Sequence, residues 1–220
     1  MAAPRLLPLV LSVKCENWRM NDKDSAEADA EFQRVRKKAL ERDNHTCRFC
    51  GFRCLKWQEV HHLNDDHADN RLENLVTACP FCHMVQHIGL AGRNGEAALA
   101  WIPEMSQADL HHAVRTAMVA ERCYETARAD VRANPGVTKQ FRDYAEAAKS
   151  VRAEFRAREA EAEARLGTCD PLEIANALLL MPDKAYEARS EALAGIRLLP
   201  LGRRVNGTED IMAKHVDAWL

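Results

Sequence analysis

No single sign of charge dominates these 220 residues: 31 lysines and arginines stand against 33 aspartates and glutamates, a formal net charge of −2. That balance removes any global pull toward DNA or an anionic membrane, so a nucleic-acid contact would have to be local. Long hydrophobic runs are missing too. No apolar stretch approaches the ~18 residues that a spanning helix needs, so membrane insertion is not expected. There is no internal repeat and no disordered tract. Apolar residues are nevertheless 47% of the chain and charged residues 29%, the balance of a globular protein with material for a real core.

A disulfide pattern is also lacking. Of eight cysteines, Cys15, Cys54, Cys123 and Cys169 are scattered singly, while Cys47-Cys50 and Cys79-Cys82 form two CxxC pairs. That usage suits a reducing cytoplasm. Four thiolates in paired CxxC turns close a tetrahedron around one structural Zn²⁺. The 28 residues between the pairs exceed what a simple zinc ribbon holds, so the insert must itself fold, as a hairpin and a loop. Cys54 is near enough to substitute as a ligand but reads as a buried thiol, and the other three single cysteines as core residues. Met1–Val13 slightly imitates a signal peptide. Two prolines, a single arginine and no small-residue cleavage site favour a buried strand over residues 6–13 instead.

The acidic stretch Asn21–Glu31 follows Trp18 and reads as a loop, and Phe32–Arg42 as an amphipathic helix. Arg34, Arg36, Lys37, Lys38, Arg42, Arg48 and Arg53 cluster beside the first CxxC. They are either a solvated face or a contact surface for phosphates or an acidic partner. Asn64–Asn74 is a polar loop, and Cys79–His87 opens a helix with Pro80 in its first turn. Gly89–Gly95 breaks that helix, and Ala97–Ile102 is a strand. From there the pattern is helical. A capping box at Ser106–Asp109 precedes Leu110–Ala127, and Asn134-Pro135-Gly136 is a turn. Helices follow over Thr138–Leu166, after Asp170-Pro171, and over Asp183–Ile196. Leu198–Leu201 ends the packed part, and Val216–Leu220 is an aromatic-apolar tail. The expected division is residues 1–104, an N-terminal strand and helix plus the zinc module, and 105–220, a helical domain.

Within the insert, His61-His62 end an expected strand, Asn74-Leu75 follow the loop, and Cys82-His83 stand at a helix start. This layout resembles the HNH (ββα-metal) endonuclease motif in its zinc-stabilised form. The resemblance implies an α+β fold: a zinc-stabilised ββα-metal module followed by an all-helical C-terminal region. It further implies that His61 and His83 ligate a second divalent ion (Mg²⁺, Mn²⁺ or Zn²⁺), with His62 the general base and Asn74 the orienting residue. The chemistry is coherent. A neutral imidazole activates water near neutral pH, and one divalent ion polarises the scissile phosphate. His87 lies four residues after His83 on the same helical face and could be a further ligand. Two features depart from the family pattern. Many members have Asp where this chain has His61, and the basic residue after the last histidine is replaced by Met84-Val85-Gln86.

A narrower resemblance covers most of the chain. Ser12–Trp18, Ala39–Asp43 leading to Cys47–Phe52, Asn70–Thr77, Trp101–Leu110, Met181–Lys184 and Gly195–Pro200 occur in the order and spacing of the DotN (IcmJ) family of type IVB, Dot/Icm-type secretion systems. That family implies an HNH-like zinc fold recruited as an adaptor. Its members sit at the cytoplasmic face of the inner membrane and bind the C-terminal extension of the coupling ATPase together with other coupling-complex subunits. Some members lack the catalytic histidines, which this chain keeps. The expected function is therefore such an adaptor; the alternative is an active metal-dependent endonuclease cleaving DNA with His62 as base. A third reading is a non-catalytic nucleic-acid module using Arg34–Arg53, with salt-dependent affinity.

Overall fold

A computed structural model describes residues 5–13, 25–66, 68–129 and 135–220; Cys15, Trp18, His67 and Asn134 lie outside the described residues. Helix α1 (Ser25–Arg42) starts earlier than its apolar spacing suggests and takes in the described part of the expected acidic loop. Ala26, Ala28 and Ala30 favour helix there even without an apolar stripe. Phe32, Val35 and Leu40 pack on Val60, Leu72 and Leu75 in a small core of their own.

Strands β1 (Glu59–His62) and β2 (Leu75–Ala78) form an antiparallel pair in which His61 faces Val76 and His62 faces Leu75 across the ladder. A single turn of 3-10 helix, Leu72–Asn74, leads into β2. Helix α2 (Pro80–Gln86) follows at once, with Cys79 as its cap and Pro80 at the first position, where a missing N–H leaves no bond unmade. The break after α2 falls at His87, and the glycine-rich stretch expected to be irregular forms α3 (Ile88–Arg93). Its glycines serve close packing. A Cβ on Gly92 would lie 2.5 Å from the backbone nitrogen of Leu172, in α7 (Pro171–Leu179).

Two expectations fail at the N and C termini of the described chain. Residues 6–13 form no strand. Pro8 has no N–H for a ladder, and the segment makes isolated bonds instead: Leu7 N–H to Arg48 O (2.8 Å) and Ser12 N–H to Val85 O (2.9 Å). Leu11 and Val13 are still buried. The C-terminal region is not all-helical. Strand β3 (Ala97–Trp101) pairs antiparallel with β4 (Ile196–Pro200), and β5 (Val205–Asn206) forms a short hairpin with β6 (Glu209–Asp210). A five-residue run that is apolar except for Arg197 cannot be typed as strand or helix by periodicity alone, which is why the pattern does not reveal β4.

The helices of that region are α4 (Gln107–Ala129), α5 (Pro135–Ala157), α6 (Glu159–Leu166), α7, α8 (Asp183–Glu187), α9 (Arg189–Ala192) and α10 (Met212–Trp219). The Ser106 capping box is present: Asp109 N–H donates to Ser106 Oγ (3.1 Å), whose hydroxyl donates to the Asp109 carboxylate (2.6 Å). Asp170 caps α7 through Leu172 N–H (2.8 Å). The single helix expected over Thr138–Leu166 is two, interrupted at Arg158, whose carbonyl accepts Trp101 N–H (3.1 Å). Pro135 and Gly136, expected in a turn, open α5, and the expected Asp183–Ile196 helix is the pair α8 and α9. One main core joins Leu11, Phe81, Leu99, Leu110, Leu198 and Val216, so it runs across the boundary expected near residue 104. Among the described residues no helix is long and apolar enough to cross a membrane.

Candidate metal centre

The first CxxC sits on a tight turn between the bridged residues Thr46 and Arg53. Cys47 N–H donates to Phe52 O, and Gly51 N–H to Cys47 O, both at 2.9 Å. Gly51 has φ of 75°, a left-handed conformation that strains any residue with a Cβ. The second pair stands at the start of α2. All four sulfurs lie within 4.8 Å of one another and all four cysteines are buried. Cys50 Sγ and Cys79 Sγ are 3.7 Å apart, close to the ~3.8 Å edge of a tetrahedron built on metal–sulfur bonds of ~2.3 Å. The four thiols are free, and the group can hold a metal ion such as zinc.

Second-layer contacts fit that ion. Arg115 on α4 donates to Cys79 Sγ (3.3 Å), and His111 Nδ1 lies 3.4 Å from Cys82 Sγ. The Arg115 guanidinium rests 3.7 Å from the centroid of the Phe52 ring, with Phe81 and Trp219 each 5.3 Å away. Packed this closely, the thiols titrate apart. Hydrogen bonds from Cys50, Cys79 and Cys82 hold Cys47 far below its ordinary value, whereas burial pushes Cys79 and Cys82 up. A divalent cation is what allows all four to ionise together. Burial, then the charge of Arg115, pushes His111 down to about 3. Cys54 is outside the group, buried with its S–H toward Ala218 O at 3.4 Å. Cys123 and Cys169, expected in the core, are only half-buried.

A second group gathers His61 from β1 with His83 and His87 from α2 and its end, their ligand nitrogens within 4.8 Å of one another. His83 Nε2 and His87 Nε2 are 3.2 Å apart. The Glu59 carboxylate accepts from His83 Nδ1, which leaves Nε2 aimed at the other histidines, the carboxylate–histidine pattern of metal sites. The other Glu59 oxygen accepts from Arg204, which also donates to Glu96 (2.9 Å). Burial alone would raise Glu59, but Arg204 and His83 hold it well below the usual carboxylate range. Three imidazoles without a first-layer carboxylate suit a borderline ion such as Zn²⁺ better than Mg²⁺.

His62 is in neither group. Neighbouring strand residues point to opposite faces, and His62 turns toward α1, stacked on Phe32 with ring centroids 5.4 Å apart. It is 3% exposed, with Nε2 3.1 Å from Asn70 Oδ1. Asn74 holds the 64–70 loop: its amide donates to Asn64 Oδ1 (2.8 Å) and Asp69 O (2.9 Å) and accepts Asn64 N–H (3.0 Å). Much of the basic cluster is spent on structure. Arg36 donates to Gln58 O, Arg42 to Leu72 O, Leu75 O and Asp43, and Arg53 to Asn44 O, while Arg48 pairs with Asp43. Arg34, Lys37 and Lys38 are exposed.

No family model matches the chain. It is similar to DotN. The likeness is 29% identity over 190 residues, 84% of this chain and 79% of the relative, the Type 4 apparatus protein DotN of Legionella pneumophila. Glu59, Gln107, His111, Arg115 and Arg204 are the site residues that sequence reasoning missed. Glu59 had a usable signal, being two residues before His61 on the same face of a strand. Gln107, His111 and Arg115 share a four-residue spacing, but nothing in it points to the cysteines, which lie 29 and 36 residues from His111 and Arg115, and Arg204 is 145 residues from Glu59.

Proposed function

We propose that this chain is a zinc-binding, HNH-like adaptor subunit of a type IVB secretion or conjugation coupling complex. In this role it binds the C-terminal segment of the coupling ATPase, with other coupling-complex subunits, at the cytoplasmic face of the inner membrane. The observation that carries it is the likeness to a type 4 apparatus protein across 84% of the chain. The HNH-like part is supported by the order β1, β2, α2, with His61 on β1, Asn74 in the turn just before β2 and His83 on α2. Adaptor rather than nuclease is supported by His62: a general base must reach the water it deprotonates, and this imidazole is covered by Phe32 and engaged with Asn70.

One observation favours a second reading. His61, His83 and His87 form a metal-competent group, with Glu59 bonded behind His83, which an adaptor does not need. A metal-dependent endonuclease acting on DNA would use it, with His62 as general base and Asn74 as the orienting residue. Co-expression with the ATPase's C-terminal segment followed by size-exclusion chromatography tests the first reading; a stable one-to-one complex is expected. A chain that elutes alone at micromolar concentrations overturns it. Plasmid nicking with added Mn²⁺ or Mg²⁺, lost in His62→Ala with fold and zinc content unchanged, would establish the second.

A further inference from the structure

Buried hydrogen bonds on α4 fix a proton position beside the four-cysteine group. The backbone N–H of Leu198 in β4 donates to Gln107 Oε1 at 2.9 Å. A backbone N–H can only donate, so this bond identifies the amide oxygen and makes the other atom the donor nitrogen. One Nε2 hydrogen goes to Leu198 O (2.8 Å) and the other to His111 Nε2 (2.8 Å). His111 Nε2 must therefore accept. An imidazole that accepts at Nε2 is neutral and carries its proton on Nδ1, and Nδ1 is the atom facing Cys82 Sγ.

One turn further along α4, Arg115 has donors and no acceptor, and it gives one N–H to Cys79 Sγ. Its other amino group lies 3.3 Å from His112 Nδ1, and His112 Nε2–H donates to Cys50 O at 2.8 Å. Gln107, His111 and Arg115 are spaced four residues apart, one stripe of the helix. Three of the four cysteines thus receive a hydrogen bond from α4, two of them at sulfur.

We propose that α4 is the outer coordination shell of the four-cysteine centre, in which Gln107 locks the His111 tautomer so that His111 and Arg115 each donate to a metal-bound thiolate. It rests on the reading that the four-cysteine group holds a divalent metal. Four thiolates around such an ion leave two net negative charges in a buried site, which is costly without compensation. Arg115 supplies one positive charge there, and the two N–H···S contacts spread the remainder. The relay also reaches β4, so the β3–β4 sheet and the metal constrain each other through Gln107.

The test uses the full-length protein. Zinc analysis of the wild type comes first, then long-range proton–nitrogen NMR of His111 in the zinc-loaded form, where the Nδ1–H tautomer is expected. Chelator competition should show zinc held about 10–100-fold less tightly in Arg115→Met and in His111→Phe. Arg115→Lys should recover most of the loss. Gln107→Met should mix the His111 tautomers while the far-UV spectrum stays native. In the cobalt-substituted protein, Arg115→Met should move the sulfur-to-metal charge-transfer band to lower energy. An Nε2–H tautomer or an imidazolium in the zinc-loaded wild type overturns the proposal even if every variant misfolds. Zinc affinity unchanged within twofold in folded Arg115→Met and His111→Phe overturns it as well. A wild type that takes up no metal removes the metal reading and the proposal together.

Discussion

His215 is a buried imidazole with an unusual lack of partners: among the described residues neither ring nitrogen has a hydrogen bond. Its ring contacts Trp57, at 5.0 Å, and Trp219, at 6.3 Å between centroids. Burial, its chief cause, lowers this histidine to about 4, against partial support from Glu59. In the unfolded chain it titrates near its ordinary value of about 6.5. Between those two values the unfolded state binds a proton that the folded state refuses. The stabilisation is therefore complete above pH ~6.5 and is lost as pH falls toward ~4. His215→Phe removes two buried polar atoms that make no bond and should raise stability by about 1 kcal/mol. It should also flatten the fall in thermal midpoint between pH 7 and 5, read as wild type minus variant. A variant as pH-sensitive as the wild type would show that another group carries that dependence. None of this can be read from the sequence, where His215 is one histidine of nine. The four cysteines are legible as a metal-competent group because residue type and local spacing are themselves the chemistry. Their hydrogen-bond donors are not, since His111 and Arg115 stand 29 and 36 residues from the cysteines they touch.

Between elements, Arg204 does the joining. It sits just before β5 and binds Glu59 on β1 and Glu96 just ahead of β3. Glu96 is completely buried and also accepts Val205 N–H at 2.7 Å. Removing the cation leaves two carboxylates in a poorly solvated site, a change that typically costs about 3–5 kcal/mol. Arg204→Met should therefore lower the denaturant midpoint strongly, and adding Glu96→Gln should recover part of the loss. Equal stability of the single and double variants would mean that Glu96 finds another cation or water. Strand and helix boundaries depart from the sequence pattern where packing overrides it. β4 exists because β3 offers it a ladder. Gly195, at φ of 81° beside the Trp101 ring, turns the chain into it. Gly89 and Gly92, which read as helix breakers, are small because α7 presses on α3. Of the elements with their own end signals, α2 with Cys79-Pro80 and α7 with Asp170-Pro171 start where the sequence pattern places them, while α4 starts at Gln107, directly after Ser106 and three residues ahead of the expected Leu110.

At the scale of the molecule, the four-cysteine centre is where separately coded segments meet. The Cys47–Cys50 turn, α2, α4 and, through Trp219, α10 all contact it or its hydrogen-bond donors. Composition places a helical region after the one with the paired cysteines, and it cannot show that the two share a core, because β3–β4 pairing spans about a hundred residues. A structural metal of this type contributes roughly 10 kcal/mol or more to folding, while a whole domain is usually stable by only about 5–15 kcal/mol. Those magnitudes decide the outcome of removing it: little net stability remains for any part that shares the core. Stripping the metal with a strong chelator under reducing conditions should collapse the far-UV helical signal and the tryptophan fluorescence together. Re-adding zinc should restore both. If the helical signal instead survives chelation while only residues around Cys47–Cys82 lose hydrogen-exchange protection, the helices stand without the metal. The centre would then be a local clasp, and α4 would owe its stability to its packing on α5, β4 and α10.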